Sequence, residues 1–151
     1  PDHAKAHYNL GIAQHEAHNL DAAITAFRES IRLQPDYANA HQGLADALQE
    51  KGDLTGAIAE YRTVLRLQPT HAAALLNLGA TLQANGDLDG AIGMYRHLLG
   101  IQPERARARY NLGVALQAVP HSLLAGAGLT LIEVASVNMP PIWKVVTCVK
   151  G

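Results

Sequence analysis

The chain has 151 residues, of which 48% are hydrophobic and 17% are charged, and this composition excludes an intrinsically disordered polymer. The formal net charge is −1 and no long basic run is present, so the chain lacks the electrostatic footprint of a nucleic-acid-binding protein. Its single cysteine, Cys148, excludes an internal disulfide. Aromatic residues make up only 5%, so a core must be built mainly from Ala, Leu and Ile, which favours close-packed helices over a sheet sandwich.

The first predicted unit, residues 4–37, contains two helical patterns. Apolar and small residues recur at three- and four-residue spacing along AKAHYNLGIAQHEA and again along LDAAITAFRESIRLQP, which is the periodicity of one helix face. Pro35 ends the second pattern, because proline has no backbone N–H and disfavours a helical residue before it. We therefore predict two antiparallel helices followed by a break.

The next two units repeat this order of elements with sharper turn signals. Gly-Asp-Leu stands between the helical patterns at 52–54 and at 86–88, where the glycine supplies a left-handed conformation. In each unit a small residue marks a close approach of the two helices, an Ala-Ile pair is followed by an aromatic residue, and a proline closes the unit. The equivalent residues are Gly11, Ala45, Gly79 and Gly113; Ala23, Ala57 and Ala91; Phe27, Tyr61 and Tyr95; and Pro35, Pro69 and Pro103.

The tetrapeptide YNLG at 8–11 returns at 110–113, with LNLG at 76–79, so a 34-residue period extends into a fourth unit. This pattern resembles the tetratricopeptide repeat, a 34-residue helix–turn–helix unit. The resemblance implies an all-α fold, a right-handed solenoid in which each antiparallel helix pair buries its apolar faces against its neighbours. The predicted domains are repeats at 4–37, 38–71 and 72–105, the first helix of a degenerate fourth repeat at 106–119, and a non-repeat apolar tail at 120–151.

Both ends of the chain depart from the period. Residues 1–3 align with the loop at 35–37, so we interpret them as the end of a preceding repeat and the chain as a piece of a longer array. We expect the tail to pack on the array as an improvised helix. The alternatives are a hairpin across the Pro-Pro pair at 140–141, the start of another domain, or a segment with no evolved role. A membrane span is not expected, because the apolar run is shorter than the ~20 residues needed and contains Glu133.

The eight histidines are the residues best suited to metal binding, but their pattern argues against a metal site. His3 and His7 have a helical i,i+4 spacing that two metal ligands could use. His7 and His41 are repeat equivalents, however, and no spacing specifies a third or fourth ligand. The glycine-rich LLAGAGL at 123–129 lacks the G-x-G-x-x-G spacing of a dinucleotide loop. We therefore expect no metal, no cofactor and no catalytic residue, and we predict that the chain is not an enzyme.

The faces of the first helices that do not pack on their partner helix are the predicted functional site. The resemblance implies that these faces line a concave groove in which a peptide or a partner segment lies. The predicted lining combines amides, tyrosines and a few aliphatic side chains, a mixture that suits an extended peptide bound through its backbone. The predicted peptide-binding residues are Lys5, Tyr8, Asn9, Ile12, Gln42, Asp46, Gln49, Leu76, Asn77, Ala80, Gln83, Arg107, Tyr110, Asn111 and Gln117, with His15, Asn39 and Val114 beside them.

Three asparagines in this set, Asn9, Asn77 and Asn111, resemble the asparagine ladder in the repeat superhelix of O-linked N-acetylglucosamine transferases. An Asn amide offers both a donor and an acceptor, so it can pair with the C=O and the N–H of a ligand backbone at once. Gly43 removes one rung of the ladder. Asparagine before Leu-Gly is also common across the repeat family, so hydrogen bonding within the scaffold is the alternative role.

A second type of groove grips the C-terminal carboxylate of a chaperone tail with Lys and Arg side chains. Asn77 and Arg107 fit that pattern, but Gln42, Asp46 and Asn111 stand where a Lys, an Asn and an Arg are needed. Asp46 would also repel a carboxylate. The sequence therefore disfavours this clamp.

The function that we predict from the sequence is a protein-interaction module that binds an extended peptide or partner segment. One alternative is the substrate-recruiting arm of a larger enzyme such as a glycosyltransferase. Another is an architectural spacer that self-associates through its open repeat ends. We expect a cytoplasmic protein, with neither nucleic acid nor membrane as a partner.

Overall fold

The computed structural model describes residues 2–119, which form seven α-helices, and the predictions for the tail at 120–151 lie outside the described residues. This arrangement confirms the predicted all-α fold of successive antiparallel helix pairs. The helices are α1 Asp2–Glu16, α2 Leu20–Leu33, α3 Ala38–Lys51, α4 Leu54–Leu67, α5 Ala72–Ala84, α6 Leu88–Ile101 and α7 Ala106–Ala118.

The start of α1 differs from the repeat register. Asp2 and His3 are helical, whereas the equivalent residues of the second repeat, Asp36 and Tyr37, lie in the loop before α3. Residues 2 and 3 therefore belong to α1, although they align with a loop in the second repeat.

The helices pack in chain order. The pairs α1–α2, α3–α4 and α5–α6 make the most extensive contacts, and each second helix then contacts the first helix of the next repeat. First helices also contact one another, α1 with α3 and α5 with α7, more than neighbouring second helices do. The first helices therefore lie on the inner side of the array and the second helices on its outer side.

The turns inside the repeats show why the glycine-aspartate signal is used. Gly52 and Gly86 adopt left-handed backbone angles of φ 91° and φ 86°. The side chains of Asp53 and Asp87 then cap the following helix by accepting a backbone N–H three residues later, at 2.9 and 2.8 Å. In the first repeat His18 takes the left-handed position, with φ 60°, which costs more for a residue with a Cβ.

The core follows the repeat period. Phe27, Tyr61 and Tyr95 are fully buried, one in each repeat. The leucines before the small residue are buried at 3%, 2% and 5% exposure in the second, third and fourth repeats, as Leu44, Leu78 and Leu112. Their equivalent in α1, Leu10, is 48% exposed and lines an open cleft of about 850 Å³ between α1 and α2.

Candidate functional site

Most of the predicted groove residues lie on the accessible surface of α1, α3, α5 and α7, which we call the first-helix face. The exposed members are Lys5, Asn9, Arg107, Tyr110 and Gln117. The half-buried members are Tyr8, Ile12, Gln42, Asp46, Gln49, Asn77, Ala80, Gln83 and Asn111. Of the three residues predicted beside this set, His15 is half-buried, and Asn39 and Val114 are exposed.

The prediction for Leu76 is wrong. Its side chain is 4% exposed and belongs to the hydrophobic core, although its repeat equivalents Tyr8 and Tyr110 are accessible. Helix α5 is packed between α4, α6 and α7, and an aliphatic side chain has no polar tip that favours contact with water. Leu76 therefore stabilises the scaffold and does not line the groove.

An aromatic cluster lies between the first two repeats. The Tyr8 ring is 5.2 Å from the Tyr37 ring and 6.0 Å from the Phe27 ring, centroid to centroid, with tilted planes in both pairs. Tyr8 and Tyr37 are half-buried, whereas Phe27 is fully buried. Burial, the neighbouring Tyr37 and the negative charge of Asp46 raise the pKa of Tyr8 above its usual value. The charge of Asp46 therefore acts on an aromatic side chain of the first-helix face.

Asp46 is the centre of a hydrogen-bond network that joins two repeats. The amide of Gln42 donates to both carboxylate oxygens, at 3.0 and 3.1 Å. The amide of Asn77, on the next first helix, donates to Asp46 Oδ1 at 3.1 Å, and the Tyr61 hydroxyl donates to the same oxygen. Burial, followed by this bond to the carboxylate, strongly raises the pKa of Tyr61. The donors to Asp46 are thus all neutral side chains.

The Tyr61 hydroxyl also lies 2.8 Å from Gln49 Oε1. A phenol has one proton, and a carboxylate can only accept, so Tyr61 donates to Asp46. The Gln49 amide therefore completes the network best when it is turned over and donates its N–H to the phenol oxygen. One acceptor in this region, Gln42 Oε1, is buried without a hydrogen-bond partner among residues 2–119.

Two of the three ladder asparagines affect the pKa of the buried tyrosine of the preceding repeat. A hydrogen bond from Asn77 lowers the pKa of Tyr61, and one from Asn111 lowers that of Tyr95, against the larger opposing effect of burial. Asn9, in the first repeat, is exposed. Asn77 therefore takes part in the scaffold through its bond to Asp46, and contact of the ladder asparagines with a ligand stays a prediction.

The missing rung at Gly43 has a physical cause. A Cβ atom at this position would lie 2.5 Å from Cε1 of Phe27, which is closer than atoms can approach. Phe27 also has no hydroxyl with which an asparagine could pair. From repeat to repeat, the buried aromatic residue is therefore matched to the residue at the ladder position sixteen residues later. Phe27 occurs with Gly43, and Tyr61 occurs with Asn77. The sequence analysis identified Tyr61 and Tyr95 as repeat-equivalent aromatics but not this pairing, which was visible in the repeat alignment, and it missed Tyr37.

Four histidines of the described segment, His15, His18, His41 and His71, have polar contacts within the array. His41 is buried, with Nδ1 2.6 Å from Glu60 Oε2 and Nε2 2.8 Å from the Pro35 carbonyl oxygen. His15 Nε2 lies 2.9 Å from Glu50 Oε2. Over residues 2–119, no group of three or more His, Cys, Asp or Glu side chains is placed to hold a metal ion. None of the seven helices is long and apolar enough to cross a membrane.

Comparison with protein families gives three matches that together follow the helical array. A model described as tetratricopeptide repeat matches residues 4–37, and a second with the same description matches residues 81–118. A model described as TPR repeat matches residues 45–86. No curated protein sequence gives a significant match.

Solved structures show the same arrangement of helices. The first TPR domain of Spaghetti (RPAP3), bound to the HSP90 peptide SRMEEVD, has a TM-score of 0.75 at 20% identity and covers 78% of this chain and 93% of that chain. MamA has a TM-score of 0.76 at 23% identity and covers 89% of this chain and 73% of that chain. A mutant of the Thermobaculum terrenum O-GlcNAc transferase has a TM-score of 0.68 at 27% identity, over 76% of this chain and 22% of the transferase chain.

Proposed function

Because the chain is a tetratricopeptide-repeat protein, we propose that it is a protein-interaction module that binds an extended peptide along its first-helix face. The observation that carries this proposal is the continuous row of accessible polar and aromatic side chains on four successive inner helices. Adjacent packed helices are about 10 Å apart, which corresponds to roughly three residues of an extended ligand. The proposal assigns no catalytic role to residues 2–119.

The hydrogen-bonding capacity of the face favours contact with a peptide backbone. Asn77 donates one N–H to Asp46, and its carbonyl oxygen would act as an acceptor for a ligand N–H. Asn9 is exposed and keeps a donor and an acceptor for the ligand. A small rotation of Gln42 would present its unpartnered carbonyl oxygen to the same ligand. Asn77 would thus accept a hydrogen bond from a backbone N–H of the peptide, and Asn9 would bond both a backbone N–H and a backbone C=O.

The peptide bound by the Spaghetti TPR domain provides a useful contrast. That peptide, SRMEEVD, carries two glutamates and an aspartate. In this chain the half-buried carboxylate of Asp46 lies within the proposed groove and would repel such a ligand. The proposed ligand is therefore an extended peptide of different charge.

Peptide selection from a random extended library tests the proposal. Affinities of the selected peptides are measured by fluorescence anisotropy for the wild type and for two double variants. Asn9→Ala with Tyr110→Ala removes exposed groove contacts without touching the core, and we expect about tenfold weaker binding from it. The matched control, Arg62→Ala with Arg96→Ala, changes exposed positions on the second helices and should bind like the wild type. Failure to select any binder, or equal losses in the two variants, would contradict the proposal.

A second candidate function, recruitment of substrate to a glycosyltransferase on the same polypeptide, is favoured by the 27% identity with the Thermobaculum transferase. This chain covers only 22% of that protein, so transfer activity belongs to the proposal alone. A sugar-transfer assay on the full-length protein, with and without residues 4–119, tests it. Loss of transfer to protein substrates on deletion would support the recruiting role, and absence of transfer in the full-length protein would exclude it.

A further inference from the structure

The outer side of the array carries a row of arginines. The buried aromatic residue of each second helix is followed directly by an arginine, so Arg28, Arg62 and Arg96 recur at the 34-residue period. All three residues are exposed, and their equivalence in successive repeats places them in line across α2, α4 and α6. We call these three residues the arginine row.

The charge of this row is not balanced inside the array. The C-terminal halves of the second helices contain five arginines and one acidic residue, Glu29, within residues 27–33, 61–67 and 95–101. Glu29 pairs with Arg32, one helical turn after the row, with 2.6 Å between Glu29 Oε1 and Arg32 Nη2. None of the ion pairs found among residues 2–119 includes a member of the arginine row. The row therefore offers its full charge to a partner.

The stability of the helices does not explain the row. A cation is favourable near the C-terminus of a helix, but this effect falls off beyond the last turn. Arg32 and Arg66 lie in the last turns of α2 and α4, whereas the row lies one turn earlier. Arg62 and Arg66 also share an exposed helix face at i,i+4 spacing, where two like charges destabilise a helix. A negatively charged partner would offset this repulsion.

The opposite ends of the second helices restrict the kind of partner. Asp53, Asp87 and Asp89 are exposed at the N-terminal ends of α4 and α6. A nucleic-acid duplex or an anionic membrane spreads its charge over a wide area, so these carboxylates would repel it. A single extended segment with Asp or Glu side chains can follow the row alone. Its carboxylates also match the planar guanidinium group, which binds a carboxylate through two parallel hydrogen bonds.

We propose that the arginine row binds an extended acidic segment of a partner protein, with Asp or Glu carboxylates paired to the guanidinium groups. The row lies on the second helices, and the proposed peptide groove lies on the first helices. The two surfaces are therefore separate, and the array would hold a peptide in its groove and an acidic segment on its outer side at the same time.

Fluorescence anisotropy with a labelled twelve-residue peptide of alternating Glu and Gly tests this proposal. The wild type should bind the peptide at low salt, and the affinity should fall as salt is added, because exposed charge pairs are screened. Arg62→Gln with Arg96→Gln should weaken binding about tenfold. The matched control, Lys5→Gln with Arg107→Gln, removes the same charge from exposed positions of the first-helix face and should bind within twofold of the wild type.

Three results would overturn the proposal. They are no binding of the acidic peptide at low salt, equal losses in the two double variants, and equal binding of a peptide with Gln in place of Glu. Tighter binding of a DNA duplex or of phosphatidylserine vesicles than of the peptide, lost in the Arg62 and Arg96 variant, would also overturn it by assigning the row to that partner. Thermal melts check that both double variants remain folded.

Discussion

Two equivalent contacts in this array are built differently. The contact between α2 and α3 is apolar, with the ring of Phe27 against the backbone of Gly43. The contact between α4 and α5 is polar at the same place, where Tyr61 and Asn77 meet Asp46. We call them the apolar seam and the polar seam. The difference shows that one period can be packed in two ways, provided that the aromatic residue and its partner in the next repeat change together.

The first-helix face follows the same division. At the polar seam an N–H of Asn77 donates to Asp46, and its carbonyl oxygen would be the acceptor for the proposed ligand. At the apolar seam the ladder position is Gly43, which has no side-chain amide. The Tyr8 and Tyr37 rings contribute accessible surface there instead.

The largest expected effect comes from a charge placed in either seam. Leu44→Asp and Leu78→Asp bury a carboxylate at positions that are 3% and 2% exposed, and each should unfold the array. Leu10→Asp is the matched control, because Leu10 is 48% exposed, and it should retain the wild-type helical signal. Circular dichroism melts compare the three variants. An unchanged melting midpoint for Leu44→Asp or Leu78→Asp would contradict the packing described here.

The apolar seam should reject the residue that the polar seam uses. Gly43→Asn places a Cβ 2.5 Å from the buried Phe27 ring and should destabilise the array by about 1–3 kcal/mol. Gly93→Asn, also in a helix, meets nothing within 4 Å and controls for the change in helix propensity. Urea denaturation gives both free energies of unfolding. Equal values for the two variants would show that Phe27 moves aside easily and that the seams are interchangeable.

The polar seam should lose stability when its hydroxyl is removed. Tyr61→Phe converts its aromatic residue to that of the apolar seam and leaves Asp46 with two neutral donors, at a cost of about 1 kcal/mol. Tyr95→Phe should cost less, because the Tyr95 hydroxyl lies 3.3 Å from Gln83 and has no carboxylate partner. Urea denaturation gives the free energy of unfolding of each variant and so ranks the two costs. An unchanged free energy of unfolding in Tyr61→Phe would mean that the network adds nothing to the stability of the fold.

The smallest expected effect is a pH dependence that belongs to the polar seam. Burial raises the folded-state pKa of Tyr61, so its stabilising contribution is present below the unfolded pKa of about 10 and is lost as the pH rises above it. The unfolded chain then binds fewer protons than the folded chain. At pH 10.5 the wild type should lose more stability, relative to pH 8, than Tyr61→Phe loses, by somewhat less than about 1 kcal/mol. Parallel stability curves for the two proteins between pH 8 and 10.5 would contradict the burial of this hydroxyl.

Much of the fold was predictable because each feature has a local cause. Pro35 and the Gly-Asp pairs end and begin helices through backbone chemistry, and the three- and four-residue spacing identifies the buried faces. The accessibility of Leu76 was not predictable, because it depends on how neighbouring helices cover α5 and not on the period. The network at Asp46 was missed for a similar reason, since its members come from α3, α4 and α5 and meet only in the folded array.

The central claim is that a peptide lies along the first-helix face, and NMR mapping of a bound peptide tests it most directly. A selected twelve-residue peptide is titrated into the isotope-labelled chain, and the perturbed amide signals are placed on the helices. The account predicts that the largest shifts follow α1, α3, α5 and α7, with Tyr8, Asp46 and Asn77 among them. Shifts confined to α2, α4 and α6, or to the cleft at Leu10, would contradict it.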